Sequence, residues 1–176
     1  MIKQKIKIDP LDKLFSAYIR TRDGWTCRRC KQEFDPATRS QLLDCSHIIP
    51  RGSWSIRLDE RNALALCKWK CHKWWHSNPV EATQWLMNDM MTLAEYQALK
   101  LRASQIGCKR KNLDVRLIEL ELLQKIDGQF EQLNDYQHQK CPDKFIDAAM
   151  EYLLLAKNIY LGSNTKEVKL ALRKQG

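Results

Sequence analysis

The sequence predicts an α+β protein: a small stapled module built on two short strands, followed by a mainly α-helical C-terminal part. Three observations carry that reading. Two apolar segments, LLDCSHIIP (42–50) and RNALALC (61–67), have strand character and are interrupted by Pro50 and Gly52. Two close cysteine pairs, CRRC (27–30) and CKWKC (67–71), bracket those segments. From Pro79 onward the apolar residues recur at helical spacing.

Taken in order, the first part is residues 1–24, a basic arm carrying Lys3, Lys5 and Lys7 and then a helix. Leu11, Leu14, Phe15, Tyr18 and Ile19 fall on one helical face just after Pro10. Residues 25–100 form the second part, with the two strands and a helix beginning in CHKWWHSNP. PVEATQWLMNDM opens on a helix-starting proline, and TLAE (92–95) is a capping-box pattern. Residues 101–176 form the third, with amphipathic helices in LDVRLIELELLQKI and DKFIDAAMEYLLLAKNIYL. The apolar face of the first of these is wide enough for a homodimer seam, or equally for packing on its own domain.

Composition bounds the function classes. Of 176 residues, 44% are hydrophobic and 29% charged, the balance of a globular domain. No apolar run approaches the length of a membrane span, so no membrane role is expected. MIKQKIKIDP alternates Ile and Lys and lacks the apolar stretch of a signal peptide, and the expected location is cytoplasmic. Seven cysteines, an odd number with four in close pairs, fit metal ligation in a reducing compartment better than disulfides. The net charge is +9, and the excess gathers around the Cys/His region, which points to a polyanionic partner with nucleic acid the first choice.

Two thiolate pairs can close a tetrahedral site completely, so Cys27, Cys30, Cys67 and Cys71 are expected to hold a structural Zn2+ that staples distant loops of a thin core. The competing set, Cys27, Cys30, His72 and His76, would leave Cys67 and Cys71 without a role. Cys45, in an apolar strand, reads as a buried thiol. If zinc takes the cysteines, His72 and His76 remain, four apart on a helix and able to reach one further ion.

The order CRRC, SHIIP, RNALALC, CH resembles the HNH endonucleases, whose nuclease core is the ββα-metal (His-Me) finger. Over about residues 11–100 the similarity is closer to phage recombination endonucleases of the NinG/Rap type, which act on branched DNA. The resemblance implies that His47 is the general base and that Asn62 holds the loop and orients that imidazole. It also implies that His76 and His72 bind a catalytic divalent cation, Mg2+ or Mn2+. Such chemistry needs a deprotonated water on one side of phosphorus and charge stabilisation on the other. The chain departs from the family at Ser46, where many members place a ligand before the base. Asp44 lies on the same strand face as Ser46 and is a candidate substitute.

Arg51 and Arg57 flank the intervening loop and could clamp a phosphate or simply be solvated. Of six tryptophans most are expected to pack, with Trp54 the best candidate for contact with DNA. The expected function is therefore a metal-dependent DNA endonuclease of phage or bacterial recombination or processing, with branched DNA as the implied substrate. The alternatives are a non-catalytic zinc-containing nucleic-acid-binding module and a protein-interaction adaptor.

Overall fold

The computed structural model describes residues 9–38, 42–105, 115–137, 147–158 and 161. The lysine arm at residues 3–7, with Cys108 and Cys141, lies outside them.

Helix α1 (Pro10–Arg22) starts where local chemistry dictates. Asp9 caps Leu11 N–H, Asp12 returns the bond to the Asp9 N–H at 2.8 Å, and Pro10 occupies a position that needs no donor. All five apolar residues at its expected spacing are buried. Each such side chain contributes about 1.5–3 kcal/mol when fully buried, which outweighs weak helix propensity. The helix stops at Asp23, after which Gly24 and Trp25 both adopt positive φ (60° and 53°). Glycine takes that conformation freely, whereas Trp25 is held there by its own burial and by a T-shaped contact with Tyr152 at 4.7 Å.

Strands β1 (Leu43–His47) and β2 (Ala63–Cys67) pair antiparallel, with Leu43 opposite Cys67 and His47 opposite Ala63. Two strands alone are marginal, so the hairpin is covered on both faces. Alternation sends Cys45 and His47 to the side of α1, where Cys45 and Ala63 join the core built on Leu14, Phe15 and Ile19. Ser46 and its partner Leu64 take the other face, where Leu64 packs in a second core with Leu66, Leu86, Cys27, Cys67 and Cys71.

After β2, Lys68–His72 form a one-turn π-helix that runs into α2 (Lys73–Ser77). Asn78 breaks the line, and α3 (Pro79–Asp89) begins at its proline. Helix α4 (Leu93–Ala103) carries the expected capping box between Thr92 and Glu95. Helix α5 (Val115–Gln137) and helix α6 (147–158) return to the module. Leu122, Ile126 and Leu153 pack on α1, and Ala149 joins the second core. The segment LDVRLIELELLQKI thus buries Leu122 and Ile126 on its own chain, whereas its Leu117 and Leu120 are exposed. Among the described residues, no helix is long and apolar enough to cross a membrane.

Candidate functional site

The hairpin and the turn after α1 bring the two cysteine pairs together. The Sγ atoms of Cys27, Cys30, Cys67 and Cys71 all lie within 4.8 Å of one another, and Cys30 and Cys67 are 3.8 Å apart. Four sulfurs bound tetrahedrally at a zinc–sulfur distance of ~2.3 Å are separated by ~3.8 Å, so the cluster is compatible with a structural zinc site. The three-residue spacer of CKWKC is explained by the π-turn. Its extra residue widens the loop enough for Cys67 Sγ to accept the Cys71 N–H at 3.3 Å. Arg29 donates to Cys71 Sγ at 3.7 Å and stacks on Trp74 with its guanidinium 3.5 Å from the ring centre. Such donors balance the negative charge of a thiolate set. None of the four cysteines is in a disulfide. The cluster takes in neither histidine, so the mixed Cys/His set is not the one gathered here.

His72 and His76 form a separate constellation. His72 ends the π-turn and His76 lies in α2, which places their Nε2 atoms 3.0 Å apart. Behind His72, its Nδ1 is 2.8 Å from Asp44 Oδ2 on β1. A carboxylate bound to Nδ1 leaves Nε2 as the nitrogen available to an ion, the usual outer-shell arrangement of a metal-binding histidine. Asp44 therefore sits behind the imidazole rather than beside the shared point of the pair. Burial, and then the neighbouring His72, lower the His76 pKa from its usual 6.5.

His47 lies at the end of β1, half-buried, with Phe15 of α1 at a ring separation of 5.9 Å. Its Nε2 is 2.9 Å from the Arg57 carbonyl. A carbonyl only accepts, so Nε2 carries the hydrogen and Nδ1 keeps the basic lone pair. Burial pushes the His47 pKa below 6.5, with the Arg51 charge acting the same way and the bond to Arg57 opposing. The imidazole is neutral near neutral pH.

Asn62 is fully buried and ties the loop that follows His47. Its Oδ1 accepts from Ile49 N–H at 2.8 Å, and its Nδ2 donates to the Ile49 and Ile56 carbonyls at 3.0 and 3.1 Å. These bonds tie Asn62 to the loop backbone at Ile49 and Ile56. The imidazole itself is oriented by the Arg57 carbonyl, so Asn62 acts on it through the backbone only.

The arginine expectations divide. Arg57 is only 3% exposed, and its guanidinium is bonded to both carboxylate oxygens of Asp12 and to the Arg51 carbonyl. Its other face lies 4.3 Å from the Trp54 ring centre. Placing Arg57 at a DNA surface is therefore corrected: a buried carboxylate claims it, and it braces the loop that follows His47. Trp54 has one ring face covered by the same contact. Arg51 is half-exposed beside His47 and stays suited to a phosphate. Ser46 is 2% exposed with its Oγ unpartnered, so it does not offer itself as a ligand.

The expected residues thus fall into two groups on the hairpin. Asp44, His72 and His76 form one, and His47, Arg51 and the Asn62-tied loop form the other. Among the described residues, no hydrogen bond joins the groups. Of two further side chains, the sequence reading anticipated one in part. Asp44 as the partner of His72 was hinted at by strand alternation, whereas exposed Trp69 had no local signal separating it from packed tryptophans. Comparisons with protein-family models, curated proteins and solved structures found no match to this chain.

Proposed function

We propose that the chain is a metal-dependent DNA endonuclease in which His47 Nδ1 deprotonates the attacking water and His72 and His76 hold a divalent cation. The observation that carries this reading is the His72–His76 pair with Asp44 behind it. Two imidazole nitrogens 3.0 Å apart match adjacent positions on an ion bound at ~2.1 Å, where a right-angled pair is separated by ~3.0 Å. A neutral His47 with Nε2–H tied and Nδ1 open has the protonation state a general base requires. The cation, Mg2+ or Mn2+, would stabilise charge on the non-bridging and leaving oxygens. Arg51 would bind a flanking phosphate. The resemblance to HNH enzymes of the NinG/Rap type supports DNA, including branched DNA, as the substrate.

The second reading is a non-catalytic zinc-containing nucleic-acid-binding module. One observation favours it: Asp44, which holds the ion-binding pair, and His47 point to opposite faces of β1. Cleavage assays separate the two. Plasmid, linear duplex, single-stranded and four-way-junction DNA would be incubated with Mg2+, Mn2+ or EDTA, alongside a His47→Ala variant of matched zinc content. Metal-dependent cutting that disappears in the variant is the expected result. Binding without cutting under every metal would leave the module reading in its place.

A further inference from the structure

We propose that the tip of the cysteine-stapled turn is a stacking platform for an unpaired base, with Trp69 as the platform. This rests on the nucleic-acid reading above and adds a contact residue and a substrate form. Trp69 is 71% exposed and alone among the six tryptophans lies mostly in solvent. Trp25 is buried, Trp54 is covered by Arg57, and Trp74 and Trp75 pack edge-on against Trp85. An indole so exposed contributes little to folding.

Its surroundings define the partner. The turn is pinned at both ends: Cys71 N–H bonds Cys67 Sγ, Lys68 N–H bonds the Leu42 carbonyl at 2.8 Å, and both cysteines belong to the four-sulfur cluster. Trp69 is thus presented on an ordered backbone, which lowers the entropy cost of docking. The cluster also brings two cationic segments together. Gly24–Gln32 and Arg61–Val80 contain no Asp or Glu, and they carry Arg28, Arg29, Lys31, Lys68, Lys70 and Lys73. The Lys68 ammonium lies 5.1 Å from the Trp69 ring centre. Protein interface cores are depleted of lysine, whereas a bare aromatic with an ammonium beside it, on an acid-free segment, matches a phosphate chain with accessible base faces. A duplex hides those faces in its stack, so the site selects unpaired nucleotides, such as those in single strands and at frayed branch points.

The test is binding without added Mg2+ or Mn2+, using zinc-loaded protein and fluorescence anisotropy. An unpaired thymidine oligonucleotide would be compared with a duplex of the same length. Trp69→Ala should weaken the unpaired strand by about tenfold and the duplex by less than about twofold, with Trp69→Phe largely restoring binding. Zinc content and melting temperature should not move. Lys68→Gln combined with Lys70→Gln should flatten the salt dependence of the wild-type complex. Equal binding by Trp69→Ala and wild type, parallel losses on both DNAs, or no DNA binding by wild type would each overturn the proposal. So would Trp69-dependent binding to phosphatidylserine vesicles in place of DNA. Because binding is read without added Mg2+ or Mn2+, its outcome does not depend on whether the wild type cuts, which keeps the two proposals apart.

Discussion

Asp44 accepts a hydrogen bond from His72 Nδ1 at 2.8 Å across the gap between β1 and the π-turn. The contact fixes the tautomer of His72 and turns its Nε2 toward His76. Neutralising the partner should loosen the ring. Asp44→Asn is expected to weaken binding of the second ion by about 10–100-fold with zinc content unchanged. Titration with Mn2+ followed by electron paramagnetic resonance reads this directly, and unaltered Mn2+ affinity would show that Asp44 does not support an ion site.

The cysteine cluster should behave as a folding element. Cys27→Ser or Cys67→Ser is expected to abolish stoichiometric zinc and to lower Tm by on the order of 10 °C, since binding of a metal at such a cluster adds its free energy to folding. In the metal-free cluster burial holds Cys71 up at about 12, despite the donor from Arg29. A metal must displace that proton, so zinc retention should fall as pH falls. Elemental analysis after dialysis across a pH series measures it.

Asp12 and Arg57 form a buried pair with side chains 6% and 4% exposed. Asp12→Ala would strand the guanidinium and should cost about 3–5 kcal/mol. Burial alone would raise the Asp12 pKa, but the bonds from Arg57 and the Asp9 N–H win and hold it below 3.8. A carboxylate depressed on folding adds stability that is fully present above its unfolded pKa and is lost as pH falls through the folded value. Urea unfolding should show wild-type stability declining below about pH 4, with a shallower decline in Asp12→Asn.

Asn62 satisfies three backbone groups of the base loop from a fully buried position. Asn62→Ala leaves them unpaired and should destabilise the fold by about 2–4 kcal/mol. Arg51→Ala, at a half-exposed side chain, should leave stability within about 0.5 kcal/mol of wild type while weakening DNA binding. Chemical denaturation and anisotropy measured on both variants separate a loop-bracing residue from a phosphate contact.

For cleavage, the depressed His47 pKa sets the pH profile. The rate should rise with pH through a value below 6.5 and be flat by neutrality, because the base is then already unprotonated. His47→Ala should lose about 10²–10⁴-fold in rate, with partial rescue by added imidazole. A profile still rising with a midpoint above neutrality would assign the titration to another group.

Legibility in the sequence followed the range of the interaction. The capping box at Thr92–Glu95, the proline starts at Pro10 and Pro79, and the strand segments ending at His47 and Cys67 are local patterns, and all were readable. So was the four-cysteine set, because tetrahedral sulfur chemistry restricts the pairings. Arg57 misled because a loop arginine looks the same whether its partner is a phosphate or Asp12, forty-five positions earlier. The docking of α5 was similarly open, since an apolar stripe does not name what covers it. Trp69 and Trp74 differ by five positions, and only the path of the turn decides which of them meets solvent.

The π-turn between Cys67 and His72 also sets an angular phase. Each helical residue advances about 100° around the axis, so the single added residue fixes where Cys71, His72 and His76 together point relative to β1. Removing one residue from the spacer would keep all four cysteines in the chain yet swing Cys71 and both imidazoles together by about 100°, away from the other sulfurs and from Asp44. The spacing of the cysteines is thus a timing gear for the histidines, and a one-residue deletion should disturb the sulfur cluster and the His72–Asp44 contact at once.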